Sequence, residues 1–163
     1  MADPILTDHQ VKTLRDQPTF AVRVRTPMDQ LDLAALFAVH LPRLHAVAGE
    51  GGHPYGRYHE FGPTHADVEI GIPLGAVSHD LPHPKDGEAP IQVSELPGGS
   101  TAVVTHHGGY ETLGAAYDRF QDWIQSQGYE TGPGPWESYL DLPDQVEYEA
   151  SLRTVLHWPL LER

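Results

Sequence analysis

His53-Pro54-Tyr55-Gly56-Arg57-Tyr58 and Gly134-Pro135-Trp136-Glu137-Ser138-Tyr139 are the stretches that decide the architecture, because they are one layout written twice. Further along, Gly71-Ile72-Pro73-Leu74 finds its counterpart in His157-Trp158-Pro159-Leu160. Each matched segment follows a candidate helix, so the similarity falls at equivalent points of two structural units. Two units of this kind meet in a groove, the usual place for a small-molecule site. One position breaks the symmetry: Gly56 in the first copy is Glu137 in the second.

Working outward, Phe20, Val22 and Val24 alternate with Ala21, Arg23 and Arg25, the period of a half-buried strand. Thr26-Pro27 then reads as a helix start, with Thr as cap, Pro at the first position and Asp29 near the positive end. Leu33, Leu36, Phe37, His40, Leu41, Leu44 and Val47 make its apolar stripe, which Pro42 interrupts. Gly49 to Gly52 end it. Residues 54–61 and 66–74 read as two strands joined at Gly62-Pro63, the second with Val68, Ile70 and Ile72 on one face and Asp67, Glu69 and Gly71 on the other. After a Pro- and Gly-rich linker at 75–90 and a short strand near Ile91 and Val93, the order returns. Thr101 to Thr105 is a strand, Leu113, Ala116, Tyr117, Phe120 and Ile124 form a helical stripe that stops at Gly128, and residues 136–141 and 152–158 are again strands. The predicted class is α+β: duplicated β-α-β-β units, 19–74 and 91–160, forming a curved antiparallel sheet with two helices on one face and a ligand cleft between the units. Residues 1–18 read as a polar lead-in, a short helix at most.

With 163 residues the chain has the length of one domain with a core of its own. It has no Cys, which removes disulfides, thiolate metal sites and a cysteine nucleophile together. The first twenty residues lack a secretory pattern and no apolar run is long enough to span a bilayer, so a cytoplasmic protein without membrane attachment is expected. A formal charge of −13 repels phosphate backbones and concentrates cations, so direct nucleic-acid binding is not expected. The 11 His offer no ligand spacing: His106 and His107 point to opposite strand faces, and His79 and His83 are broken by Pro82. No metal and no cofactor is expected, and no phosphate loop, dinucleotide fingerprint or nucleophile elbow is present.

Strand parity sets Glu137, Tyr139 and Asp141 on one face and Trp136, Ser138 and Leu140 on the other. With Trp136 and Leu140 under the helix, Glu137 looks into the groove with Tyr139 and its repeat partner Tyr58. An acid ringed by aromatics suits a lipophilic cation, which takes counter-charge from the carboxylate and area from the rings. The competing reading is a surface ion pair between Glu137 and Arg153 or another neighbour. Tyr110, after the permissive Gly108-Gly109 turn, either lines the groove or joins the helix stripe. Glu69 and His157 enter on strand parity alone. The ligand-binding candidates are thus Glu137, Tyr139, Tyr58, Trp136, Tyr110, Glu69 and His157; in an enzyme, Glu137 would be the general base and Tyr139 its hydroxyl partner.

The run Val103-Val104-Thr105-His106-His107-Gly108-Gly109-Tyr110, the helix through Trp123-Ile124, Pro135-Trp136-Glu137-Ser138-Tyr139-Leu140-Asp141 and the closing Arg153-Thr154 to Trp158-Pro159-Leu160 resemble the GyrI-like domain. Thr26-Pro27-Met28-Asp29-Gln30-Leu31 is similar to that family's entry into its first helix. The resemblance runs over about 19–160 and implies the effector-binding fold of AraC-type activators and multidrug-sensing regulators, with a buried Glu in the last third, here Glu137, meeting an amphipathic and often cationic ligand. It implies aromatic site residues at Tyr58 and Tyr139. No DNA-binding segment is read in this chain, which directs the expectation to free-standing members. The first expectation is a small-molecule-binding protein for sensing or sequestration. The alternatives are a hydrolase that opens cyclopropane rings of reactive natural products, with Glu137 activating water, and a gyrase inhibitor that acts on a protein partner.

Overall fold

The computed structural model describes residues 3–48, 52–74 and 89–161. In chain order these form β1 (Ile5–Leu14), β2 (Gln17–Pro27), α1 (Leu33–Ala48), β3 (Tyr55–Phe61), β4 (His65–Pro73), β5 (Ile91–Leu96), β6 (Gly99–His107), α2 (Leu113–Ser126), β7 (Trp136–Tyr139) and β8 (Arg153–Pro159). The class is α+β, with antiparallel pairing between neighbouring strands. Most of the expected linker, with His79 and His83, and the start of the glycine stop after α1 lie outside the described residues. No helix among the described residues is long and apolar enough to cross a membrane.

The described residues fall into two compact units, the first within 16–97 and the second formed by 3–15 together with 98–161. In the first, β2 runs between β5 and β4, and β3 pairs on the far side of β4. In the second, β6 runs between β1 and β8, and β7 pairs on the far side of β8. The register repeats as well as the order: Thr19 faces Pro73 as Thr101 faces Pro159, and Gly56 faces Ile70 as Glu137 faces Leu156.

Three expectations change. The lead-in is a strand, β1, hydrogen-bonded along β6 with a register shift between Thr7 and Gln10. Its pattern is hard to read because β1 is an outer strand and most of its residues are exposed. The strand near Ile91, β5, completes the first unit and not the second, since its ladder partner is β2. The Thr26-Pro27 helix start is also displaced: β2 continues to Pro27, a 3-10 turn covers Met28–Gln30, and α1 begins at Leu33. The residue that satisfies an early N–H there is Asp32, whose Oδ1 accepts from Ala35 N at 3.0 Å.

Both helices lie on apolar sheet faces. α1 contains Pro42, buries His40, Leu41 and Leu44, and packs on β4 and β2. Phe20 and Val22 of β2 and Val68, Ile70 and Ile72 of β4 are all buried, and Ala21, Glu69 and Gly71, on the opposite face, are buried as well, so these strands are not half-buried there. In the second unit Ala116, Phe120 and Ile124 of α2 meet Ala102 and Val104 of β6, Leu156 of β8 and Leu160 in one buried cluster. Tyr117, Trp123 and Trp158 close its sides.

Candidate functional site

Glu137 stands in the four-residue strand β7, opposite Leu156. Directly opposed residues of an antiparallel pair share a face, and Leu156 belongs to the cluster under α2. Glu137 and Tyr139 therefore lie on the α2 side of their sheet, while Trp136 and His157 lie on the other. This inverts the parity predicted from the sequence, which put Trp136 beneath the helix. Both parities of so short a strand carry a large side chain, and the partner strand decides between them.

Only 2% of Glu137 is exposed. The Tyr139 hydroxyl donates to Glu137 Oε2 at 2.6 Å, and both side chains are buried. Tyr110, in the 3-10 turn Tyr110–Thr112 before α2, sets its ring edge-on to Tyr139 with centroids 6.0 Å apart. Tyr110 is 37% exposed and marks the solvent end of this group. Its hydroxyl is pushed up to about 12, first by burial and then by the charges of Glu137 and Asp141. The local field at Tyr110 is thus negative. Glu137 is not on the surface that the competing reading assumed, and Arg153 Nε binds Asp141 Oδ2 at 2.9 Å.

The same sheet face continues across β8 and β6. Tyr139 opposes Thr154, and Thr154 opposes His106, so the three make one rung. His106 and Thr154 are fully buried. The Thr112 hydroxyl donates to the Gly109 carbonyl at 3.2 Å, so the contact of 2.7 Å between His106 Nε2 and Thr112 Oγ1 is donated by the imidazole. Burial first, and then His107, hold His106 below its ordinary pKa against the pull of Glu111, which keeps the ring neutral. Gly108, with φ of +112°, turns the chain from β6 toward the Tyr110–Thr112 segment in a conformation that an L side chain resists.

The other candidates are elsewhere. Trp136 and His157 stack on the opposite sheet face, with centroids 4.9 Å apart and planes 7° from parallel. Burial drives His157 down to about 4, against backbone contacts with Val155 and Trp136 that raise it. Tyr58 and Glu69 belong to the first unit, on opposite faces of its sheet. Tyr58 opposes Val68 on the apolar side and meets Phe61 edge-on at 5.3 Å.

Glu69 is the centre of a polar cluster that sequence reasoning missed. Its Oε2 accepts from the Tyr55 hydroxyl and, at 2.9 Å, from Ser94; its Oε1 accepts from His59 Nε2 at 2.8 Å. Tyr55 in turn receives the Thr19 hydroxyl at 2.8 Å. Burial would raise the Glu69 pKa, but these donors and the His59 charge take it below its ordinary value. The chain Thr19, Tyr55, Glu69, Ser94 joins β2, β3, β4 and β5, which is the position of a structural hub. His106, Thr112 and Thr154 were missed as well, and the turn signal Gly108-Gly109 beside His106 is the feature that could have drawn attention to them.

No curated protein matches the chain by sequence. Among solved structures, the EcmrR C-terminal domain superimposes with a TM-score of 0.73 at 20% identity, over 96% of this chain and 98% of that one. In the complex of EcmrR with DNA, this chain spans 58% of the length of the EcmrR chain. SAV2435 bound to tetraphenylphosphonium gives a TM-score of 0.65 at 13% identity, covering 95% of this chain and 94% of that one. A hydrolase from Listeria innocua gives 0.62 at 11%, covering 94% and 91%. These likenesses show a shared fold. The family is shown by sequence: the model of the GyrI-like small molecule binding domain matches residues 7–161, and the chain belongs to that family.

Proposed function

We propose that this protein binds lipophilic, cationic small molecules and serves to sense or sequester them. The observation that carries the reading is the buried Glu137 carboxyl group, hydrogen-bonded by Tyr139, whose ring meets the partly exposed ring of Tyr110. A cation entering along Tyr110 gains ring contact first and the carboxylate second, and each gains strength as water is excluded. The formal charge of −13 adds a long-range attraction for cations. SAV2435, a protein of the same fold, holds the lipophilic cation tetraphenylphosphonium.

Binding is favoured over hydrolysis by the direction of one hydrogen bond. For a hydrolase, a Tyr hydroxyl would be turned to the substrate's carbonyl oxygen and the carboxylate to water. Here the Tyr139 hydroxyl is donated to Glu137 itself, which steadies the acid as a counter-ion. Titration calorimetry with tetraphenylphosphonium tests the reading. Saturable binding is expected, weakened about tenfold or more in Glu137→Gln, where the loss of a buried charge partner removes more than about 1.4 kcal/mol. Unchanged affinity in the variant refutes it. Mass spectrometry after incubation with cyclopropane-bearing electrophiles is expected to recover each compound intact, and a product one water heavier would make the protein a hydrolase.

A further inference from the structure

Among the described residues, His106 Nδ1 and Thr154 Oγ1 are buried without a hydrogen-bond partner. They face each other across β6 and β8, on the rung that ends at Tyr139. Each step across the sheet is about 4.8 Å, so the rung leads from the Glu137–Tyr139 pair directly into these two groups. Buried polar groups are nearly always satisfied, and two adjacent exceptions on one rung call for an account.

Their chemistry is specific. His106 donates through Nε2 to Thr112, so Nδ1 offers a lone pair; the Thr154 hydroxyl offers a proton. A side-by-side acceptor and donor match a group that both donates and accepts. The Tyr110–Thr112 turn lies over both ends of the rung, with Tyr110 against Tyr139 and Thr112 against His106. The turn follows Gly108, whose left-handed backbone allows the chain to change direction there.

We infer that His106 and Thr154 form an inner polar subsite for a hydroxyl or carboxamide group of the ligand, reached when the Tyr110–Thr112 turn moves aside. The inference rests on the cation reading above and narrows it: the preferred compound carries a cationic, aromatic portion for Glu137 and Tyr110, and a neutral donor–acceptor group at its inner end. The ligand group donates to His106 Nδ1 and accepts from Thr154.

Two matched probes test this by calorimetry, tetraphenylphosphonium and its mono-(4-hydroxyphenyl) analogue. The hydroxylated probe is expected to bind about tenfold more tightly, the scale of one or two buried hydrogen bonds. That preference should vanish in Thr154→Val, with affinity for tetraphenylphosphonium retained. Without ligand, Thr154→Val is expected to melt at a higher temperature than the unaltered protein, because it replaces a buried unpaired hydroxyl by a methyl of the same shape. Equal affinity for both probes, a preference that survives in Thr154→Val, or a lower melting temperature in Thr154→Val overturns the inference and leaves the cation reading standing. Failure of both probes to bind overturns the two together.

Discussion

Two carboxyl groups, Glu69 and Glu137, are buried to nearly the same extent, and their neighbours give them different work. Glu69 accepts from His59, Tyr55 and Ser94 and, through Tyr55 to Thr19, ties four strands of the first unit. Its folded-state pKa lies below the ordinary value, so the unfolded chain takes up the proton first as pH falls. The stabilisation is complete above the ordinary Glu range of about 4.3 and is lost below it. Urea unfolding midpoints measured from neutral pH to about pH 3 should fall more steeply for the unaltered protein than for Glu69→Gln, which is expected to be less stable at neutral pH by about 2 kcal/mol. His157 works in an earlier window. Burial lowers it from 6.5 to about 4, so the unfolded chain again binds the extra proton, and stability declines between those values. His157→Phe, which preserves a ring against Trp136, should flatten that part of the curve in the same measurement.

At the scale of elements, cross-strand geometry sets the demands. The Tyr55 ring lies over Gly71, where an added Cβ would sit 2.5 Å from the hydroxyl. Gly71→Ala must displace Tyr55 from Glu69 and is expected to lower stability by about 2 kcal/mol or more, checked by denaturant melts. Sequence periodicity exposes elements whose two faces differ, which is why Val68, Ile70 and Ile72, and the stripe Ala116, Phe120 and Ile124, could be read directly. β1 lacks that contrast because it is mostly exposed, and β7 lacks it because four residues with Trp136 on one side and Tyr139 on the other carry no decisive period. That Glu137 and Tyr139 share a strand face was legible from their spacing, whereas Tyr110 was left between the groove and the helix stripe, and it is the fold that sets its ring against Tyr139. The rung to His106 and Thr154 was not legible, since their pairing joins residues far apart in sequence and depends on the register of β8. Tyr58, matched to Tyr139 by the same repeat, shows the limit of symmetry: equal register places it over Val68, and no acid stands in the Glu137 position, which is Gly56.

For the whole molecule, the excess of 23 acidic over 10 basic residues acts at distances beyond any single contact. Raising salt from about 10 mM to about 1 M shortens the screening length from about 30 Å to about 3 Å. The association rate of tetraphenylphosphonium, followed by stopped flow, should fall several-fold over that range while the dissociation rate changes little. The path of the chain through its two units has a separate consequence for biogenesis. Residues 16–97 contain every strand of the first unit, so that unit can close as soon as β5 has been made. β1 has been synthesised earlier, but its partner β6 follows only after the last strand of the first unit. At about 5–20 residues per second, β1 waits on the order of ten seconds with its backbone groups unpaired. The irregularity between Thr7 and Gln10, where Asp8 takes a φ of 59°, and the charges of Asp8 and Lys12 make that waiting strand a poor template for other chains. What guards the finished edge also guards the nascent chain.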